Sequence, residues 1–432
     1  MIASAPSRNR PLTASLLLVL IFISICLPTG AIFGLNVKVI VFVAFFLSFI
    51  FYLATNSAQW PTSSELLFIF SFGACLCLWS VIAIVNGEAE MAQVFMQCKD
   101  IASTMTIAWA CIFVVRRGIV LTETVITTVI YAVLALALMK LAFIVALFRW
   151  HIDPITTIEA IFGEASLVGG SIAFGLTRMG FSSDIVGGFA LFAILCPSVS
   201  GICFRRTTAI VLIPLLLASG LLSYGRYIWF IEIFAVVAAL MIERRFKWLL
   251  AVVLGIASLT YVSYDLLRPL LEARFSSDQT TDSDLIRVEQ SKALAEGIRE
   301  RPFFGKGLGT HVNGLIRSEQ TQYSYELQWE SLLMQIGVVG VMGIFVSIAA
   351  ASRDLLAARS PAKPWLGVLF ALWLLGSWTN PYITSSFAGA TFGMFMAMFY
   401  KLRYDRREVH IDSSRLGVSG FAGSFLGRQP ST

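Results

Sequence analysis

Apolar runs long enough to cross a bilayer recur from one end of the 432-residue sequence to the other, and no other feature restricts the fold so severely. A helix needs roughly 20 residues to span the hydrocarbon core. Runs of about that length stand at 12-29, 37-55, 65-85, 101-115, 122-147, 185-203, 207-222, 227-242, 249-267, 331-351, 364-379 and 384-400. With 57% hydrophobic and only 13% charged residues and a mean hydropathy of +0.79, a soluble fold is excluded. The sequence therefore predicts an all-α polytopic membrane protein with about twelve transmembrane helices.

Orientation follows from lysine and arginine, which short cytoplasmic loops retain. An N-in start places Arg8, Arg10, Arg116, Arg117, Arg205, Arg206, Arg244, Arg245, Lys247, Arg353, Arg359 and Lys363 inside, together with Lys401, Arg403, Arg406 and Arg407. Both termini are then cytoplasmic, and only the loop from Asn56 to Ser64 lacks its basic residue. Arg8 and Arg10 ahead of the first run fit a signal anchor better than a cleaved signal, given eleven further spans. The net charge of +6 thus reports topology, and nucleic acid is not an expected partner. Seven cysteines, odd in number and without metal-ligand spacing, read as packing residues; neither a metal nor a cofactor is expected.

The same topology leaves two long segments outside, 148-184 and about 268-330. The chain divides accordingly into an N-terminal bundle of about nine helices (1-267), a large external loop (268-330), C-terminal helices (331-400) and a cytoplasmic tail (401-432). Within the large loop, "TDSDLIRVEQSKALAEGIRERPFFG" predicts an amphipathic helix. Asp282 or Ser283 would cap it, Leu285, Val288, Leu294 and Ile298 would form its apolar face, and Pro302 and Gly305 would end it. Asp282 and Asp284 match the Asp-x-Asp of metal-dependent sugar transferases only superficially.

Several external residues carry candidate chemistry. Gly305, Gly307 and Gly309 in "PFFGKGLG" permit a tight turn and close approach of backbone N–H groups to an anion. Arg178, Arg226, Arg287, Arg299, Arg301 and Lys306 supply cations suited to pyrophosphate, since guanidinium groups bond phosphate oxygens bidentately. Glu326 and Glu330 precede the tenth helix on one face, and a carboxylate there can take a proton from a hydroxyl. His311 is the lone histidine of the large loop. Lys140 and Glu232 lie about 15 Å and 9 Å inside the membrane at 1.5 Å per residue, where charges are paired or line a cavity; a Lys140–Glu232 pair is the expected arrangement.

These motifs resemble the O-antigen ligase and Wzy polysaccharide polymerase superfamily of bacterial envelopes. Arg287 in "LIRVEQSKAL", the turn "PFFGKGLG" and "YELQWESLLMQIGVVG" follow the order of its C-terminal signature; "LLSYGRYIW" and "TRMGFSSDIVGGFALF" resemble its two upstream arginine motifs. The similarity covers about residues 175 to 345. The family's ligases carry a His-Asn pair eleven residues before the first glycine of the final motif, where Glu326 and Leu327 stand here, and that departure favours a polymerase.

The resemblance implies a metal-independent, GT-C-like glycosyltransferase of the bacterial inner membrane, with its large loop in the periplasm. It implies an undecaprenyl-pyrophosphate-linked oligosaccharide as donor, a second as acceptor, and an O-antigen, capsule or exopolysaccharide as product. A chain-length regulator and export machinery are implied partners. Arg178, Arg226 and Arg287, with Arg301 in reserve, would stabilise the leaving pyrophosphate, with Glu326 as base or acceptor-orienting group. The rivals are a ligase transferring finished glycan and, outside enzymes, a transporter or lipid-glycan exporter. No repeated halves are visible, and the ionisable residues gather on one face.

Overall fold

A computed structural model describes residues 11–27, 31–56, 60–163, 178–262, 278–315 and 321–415. A helix occupies each of the twelve apolar runs. In chain order these are α1 (Leu12–Cys26), α2 (Val37–Thr55), α3 (Ser63–Asn86), α4 (Met91–Arg116) and α5 (Thr122–Trp150). After the short α6 (Pro154–Phe162) come α7 (Val186–Leu195) with its continuation α8 (Pro197–Ser200), then α9 (Arg206–Ser223), α10 (Arg226–Ile242) and α11 (Phe246–Val262). The large loop contributes α12 (Asp278–Glu300). The chain then returns as α13 (Gln328–Ala351), turns through α14 (Arg353–Ala357), and ends with α15 (Lys363–Gly376) and α16 (Ser386–Arg415). Six of these, α2 to α5, α9 and α13, are long and apolar enough to cross a membrane. Two-residue strands at Ala31–Ile32 and Leu35–Asn36 pair in one small hairpin.

Helix ends follow local chemistry. Thr62 and Glu65 form a capping box at the start of α3, and Gly87 in the left-handed region ends it. Helix α7 is apolar on every side and buried on every side from Val186 to Ile194, as a central helix of a bundle must be. By contrast α2 buries little beyond Phe45 and Phe49, and leaves Leu47 and Phe51 on an outer apolar face suited to lipid.

Charged side chains gather at the two ends of the bundle. At one end, Arg116 and Arg403 both grip Asp354, at 2.8 and 2.5 Å, while Arg117 pairs with Glu65 at 3.0 Å and Lys401 with Glu123. These are the loops the sequence assigns to the inside. The basic residue missing from the Asn56 to Ser64 loop is supplied across space, because Arg117 also donates to the Trp60 carbonyl at 2.6 Å.

The large loop departs from expectation in three ways. Helix α12 already includes Asp278, so Asp282, Ser283 and Asp284 lie within helical backbone and neither Asp282 nor Ser283 is the cap. Only the C-terminal half of the expected apolar face is used: Leu294 is fully buried and Ile298 partly so, packed with Tyr325, Leu327 and Met334, whereas Leu285 and Val288 are about half exposed.

The third departure concerns Gly305, Gly307 and Gly309. Their turn does not cradle a ligand; it is strapped into the bundle by its own backbone. Gly307 N–H donates to the Gln335 carbonyl at 2.8 Å and Lys306 N–H to Met334 at 2.9 Å, while Leu308 N–H reaches the Trp79 carbonyl at 3.1 Å. Gly309 N–H donates to Gln97 Oε1 at 2.5 Å. These amides are spent on protein, which removes the expected anion cradle. The seat is made by a kink in α13 at Gly337, whose φ of 63° and ψ of −176° break the helix. A Cβ at Gly337 would sit 2.3 Å from the Phe303 carbonyl oxygen, and one at Gly305 would sit 2.4 Å from that of Gln335.

Candidate functional site

At the other end of the bundle, five segments surround one cleft of about 380 Å³. Its wall includes Arg178, Arg226, Arg287 and Glu326, four residues spread over nearly 150 positions of sequence.

Each is placed by a short-range device. Tyr224 adopts the left-handed conformation (φ 54°) to close α9, and Gly225 then turns the chain so that Arg226 opens α10. Tyr227 next to it donates to the Leu372 carbonyl, tying the hairpin to α15. Arg178 is fastened to the same hairpin: its Nε donates to the Ser223 carbonyl at 3.1 Å, and Met179 N–H donates to Leu222 at 3.1 Å. Arg287 descends from α12 and its Nε donates to Glu326 Oε2 at 2.7 Å. The first turn of α13 fixes Glu326 from its C-terminal side. Gln328 N–H donates to the Ser377 carbonyl at 3.0 Å, its Oε1 accepts from Ile383 N–H at 2.9 Å, and Trp329 Nε1 donates to Leu374 at 2.9 Å.

The loop between α15 and α16 completes the cleft with Thr379, Asn380, Pro381 and Tyr382. Burial pushes the Tyr382 phenol above its ordinary range, with the nearby Asp184 carboxylate adding to it, so it remains an O–H donor at neutral pH. Two apolar flanking runs hid this segment in the sequence, although the inferred topology puts it on the same face as Arg178, Arg226 and Arg287.

Lys140 and Glu232 do not line the cleft, and they do not pair. Lys140 is fully buried and its Nζ lies 2.7 Å from Asp184 Oδ2, with a second bond to the Ser219 carbonyl at 3.2 Å. Asp184 Oδ2 also accepts from Phe181 N–H at 2.8 Å. Glu232 is buried against Gly187 and Gly220, and among the described residues its Oε1 has no hydrogen-bond partner and it makes no ion pair. The Lys140–Asp184 bridge thus lies beneath the floor, pinning the Ser182–Ile185 turn, whose first residue Ser182 faces the cleft with the preceding Phe181. Asp184 was missed because its Ser-Ser-Asp setting looks like a helix start, which it also is.

Arg301 and Lys306 belong to a different group. Arg301 pairs with Glu88 at 3.2 Å; Lys306 pairs with Glu300 at 2.6 Å and Glu88 at 3.6 Å. The hydrogen bond from Lys306 holds the Glu300 carboxyl below its usual range. Neither cation lines the cleft, and neutralisation by these carboxylates leaves them fastening the loop to the end of α3. Arg299, Glu330 and His311 also lie outside the cleft wall.

Three guanidinium groups and one carboxylate around a single cleft can hold a phosphate-rich anion in several charge-assisted bonds and place a proton acceptor beside it. The chain matches no protein-family model, and no curated protein matches it.

Proposed function

We propose that the chain is a polysaccharide polymerase of the bacterial inner membrane, joining undecaprenyl-pyrophosphate-linked repeat units on the periplasmic side. The observation that carries this reading is the convergence of Arg178, Arg226, Arg287 and Glu326 on one cleft. In the proposed arrangement twelve helices cross the bilayer in a GT-C-like bundle with both termini in the cytoplasm. The basic network of Arg116, Arg117, Lys401 and Arg403 at the opposite end supports that orientation.

The chemistry follows from the groups at hand. An acceptor hydroxyl attacks the anomeric carbon of the donor's first sugar, the new C–O bond forms, and the bond from that carbon to the pyrophosphate oxygen breaks with its electron pair. Arg178, Arg226 and Arg287 stabilise the negative charge developing on the departing pyrophosphate. The hydroxyl proton passes to Glu326. Arg287 is bonded to Glu326 in the structure; a bound pyrophosphate competes for that guanidinium and frees the carboxylate to accept the proton. Product class, whether O-antigen, capsule or exopolysaccharide, belongs to the partners rather than to these residues, and a chain-length regulator and an export system are the expected ones.

The test is a deletion strain whose envelope lipids and secreted glycans are resolved by mass spectrometry. A single lipid-linked repeat unit accumulating without long polymer supports polymerisation. Long polymer retained on the lipid means a ligase, and unchanged glycans mean the reading is wrong.

A further inference from the structure

A second cavity, of about 700 Å³, lies on the other half of the same hairpin. It is a trough between α7, α9, α10 and α11, floored by side chains such as Ile213, Leu217, Ile233 and Val237. At its far end, away from the cleft, stand Arg206 at the start of α9 and Arg245 at the turn into α11. Both are exposed, and neither guanidinium has a hydrogen-bond or ion-pair partner among the described residues. The nearest carboxylate on this turn, Glu243, is directed to the Ser198 N–H at 2.9 Å. Arg244 in the left-handed region (φ 56°) fixes the turn, and Arg245 N–H donates back to Leu240 at 2.9 Å, so Arg245 stands on a set backbone. Trp248 borders the trough at the same level, where amphipathic rings favour the membrane interface.

We infer that this trough binds one anionic glycerophospholipid, an acyl chain lying along the apolar floor and the phosphate held between Arg206 and Arg245. A purely apolar ligand leaves both cations unused, and a soluble anion leaves the apolar floor unused; only a molecule with both parts fits the whole surface. Basic pockets between transmembrane helices recognise lipid phosphate in this way. The inference concerns the opposite end of the hairpin from the cleft and stands whatever reaction the cleft performs.

The experiment measures lipid bound to the purified full-length chain in detergent, by mass spectrometry, after exposure to micelles carrying phosphatidylglycerol or phosphatidylcholine. Wild type is expected to retain phosphatidylglycerol in preference. The Arg206→Ala, Arg245→Ala double variant should bind it roughly thirtyfold more weakly, the combined worth of two interfacial cations. Ile213→Trp, which fills the trough without touching charge, should also release it, and the double lysine variant should retain most of it while showing that the fold survives substitution. Equal retention of both lipids by wild type, or undiminished phosphatidylglycerol in the double alanine variant, overturns the inference. So does a thermal shift with inorganic phosphate as large as that with phosphatidylglycerol, which would mark a plain anion site, or co-purified polyprenyl phosphate, which would mark a substrate groove.

Discussion

Replacing Lys140 with methionine keeps the length of the side chain and deletes its charge. Asp184 then loses the ammonium 2.7 Å from its Oδ2 and retains only the Phe181 N–H, while its Oδ1 already lacks a partner. Both side chains are essentially sealed from solvent, at 0% and 1% exposure, so screening does not soften the loss. Removing one member of a buried pair costs about 3–5 kcal/mol, because a charge is left uncompensated. Unfolding of the purified protein, followed by tryptophan fluorescence in a denaturant series, measures it. The double variant Lys140→Met, Asp184→Asn removes both charges and should recover most of the stability, whereas Glu232→Gln, which breaks no ion pair, should cost far less than Lys140→Met. A double variant as damaged as Lys140→Met alone would refute the argument. So would Glu232→Gln matching Lys140→Met, which would make Glu232 the true counter-ion.

Three further outcomes are expected. Arg287→Lys should lower polymer formation by about 10²–10³-fold, the usual worth of one oxyanion donor, because the ammonium lacks the planar fork, and Glu326→Gln should abolish base function while leaving membrane insertion intact; normal glycan profiles in both remove the proposed machinery. Gly337→Ala should destabilise the fold by more than the about 1–3 kcal/mol of a side chain forced into a backbone region that only glycine occupies, since its Cβ also meets the Phe303 carbonyl at 2.3 Å, and wild-type stability on unfolding would contradict the kink. In a variant retaining only the exposed Cys203, an impermeant maleimide should react solely after the cells are opened, while a cysteine replacing the 67% exposed Phe303 should react in intact cells; the reverse pattern inverts the orientation.

The bundle was legible because bilayer-length apolar runs leave the backbone few alternatives, and every expected run carries a helix. The cations of the cleft were legible for a related reason: Arg178, Arg226 and Arg287 fall on the face opposite the basic short loops, so the charge bias of those loops does not account for them. Partnership across sequence distance could not be read. Lys140 was matched with Glu232 because both are charges at depth, whereas Asp184, sitting in a polar turn, reaches down to take it. The glycine turn was misread for the same reason. Nothing in "PFFGKGLG" tells that its amides are claimed by Gln335, Met334 and Trp79, because the acceptors are main-chain carbonyls, two beside the Gly337 kink of α13 and one in the distant α3. Tyr382 and Asn380 carry no charge and lie between two apolar runs, so only assembly of the bundle reveals them.

The meeting of Gly305 and Gly337 is a joint between two main chains, with no side chain at the point of contact. Its specificity is therefore one of shape and vacancy, and it places no demand on the chemistry of the residues beyond. Residues on the loop's exposed face can change without disturbing its docking register. The joint therefore works as a keyed socket: a single added carbon on either glycine jams it, whereas substitutions on the loop's outer surface leave it untouched.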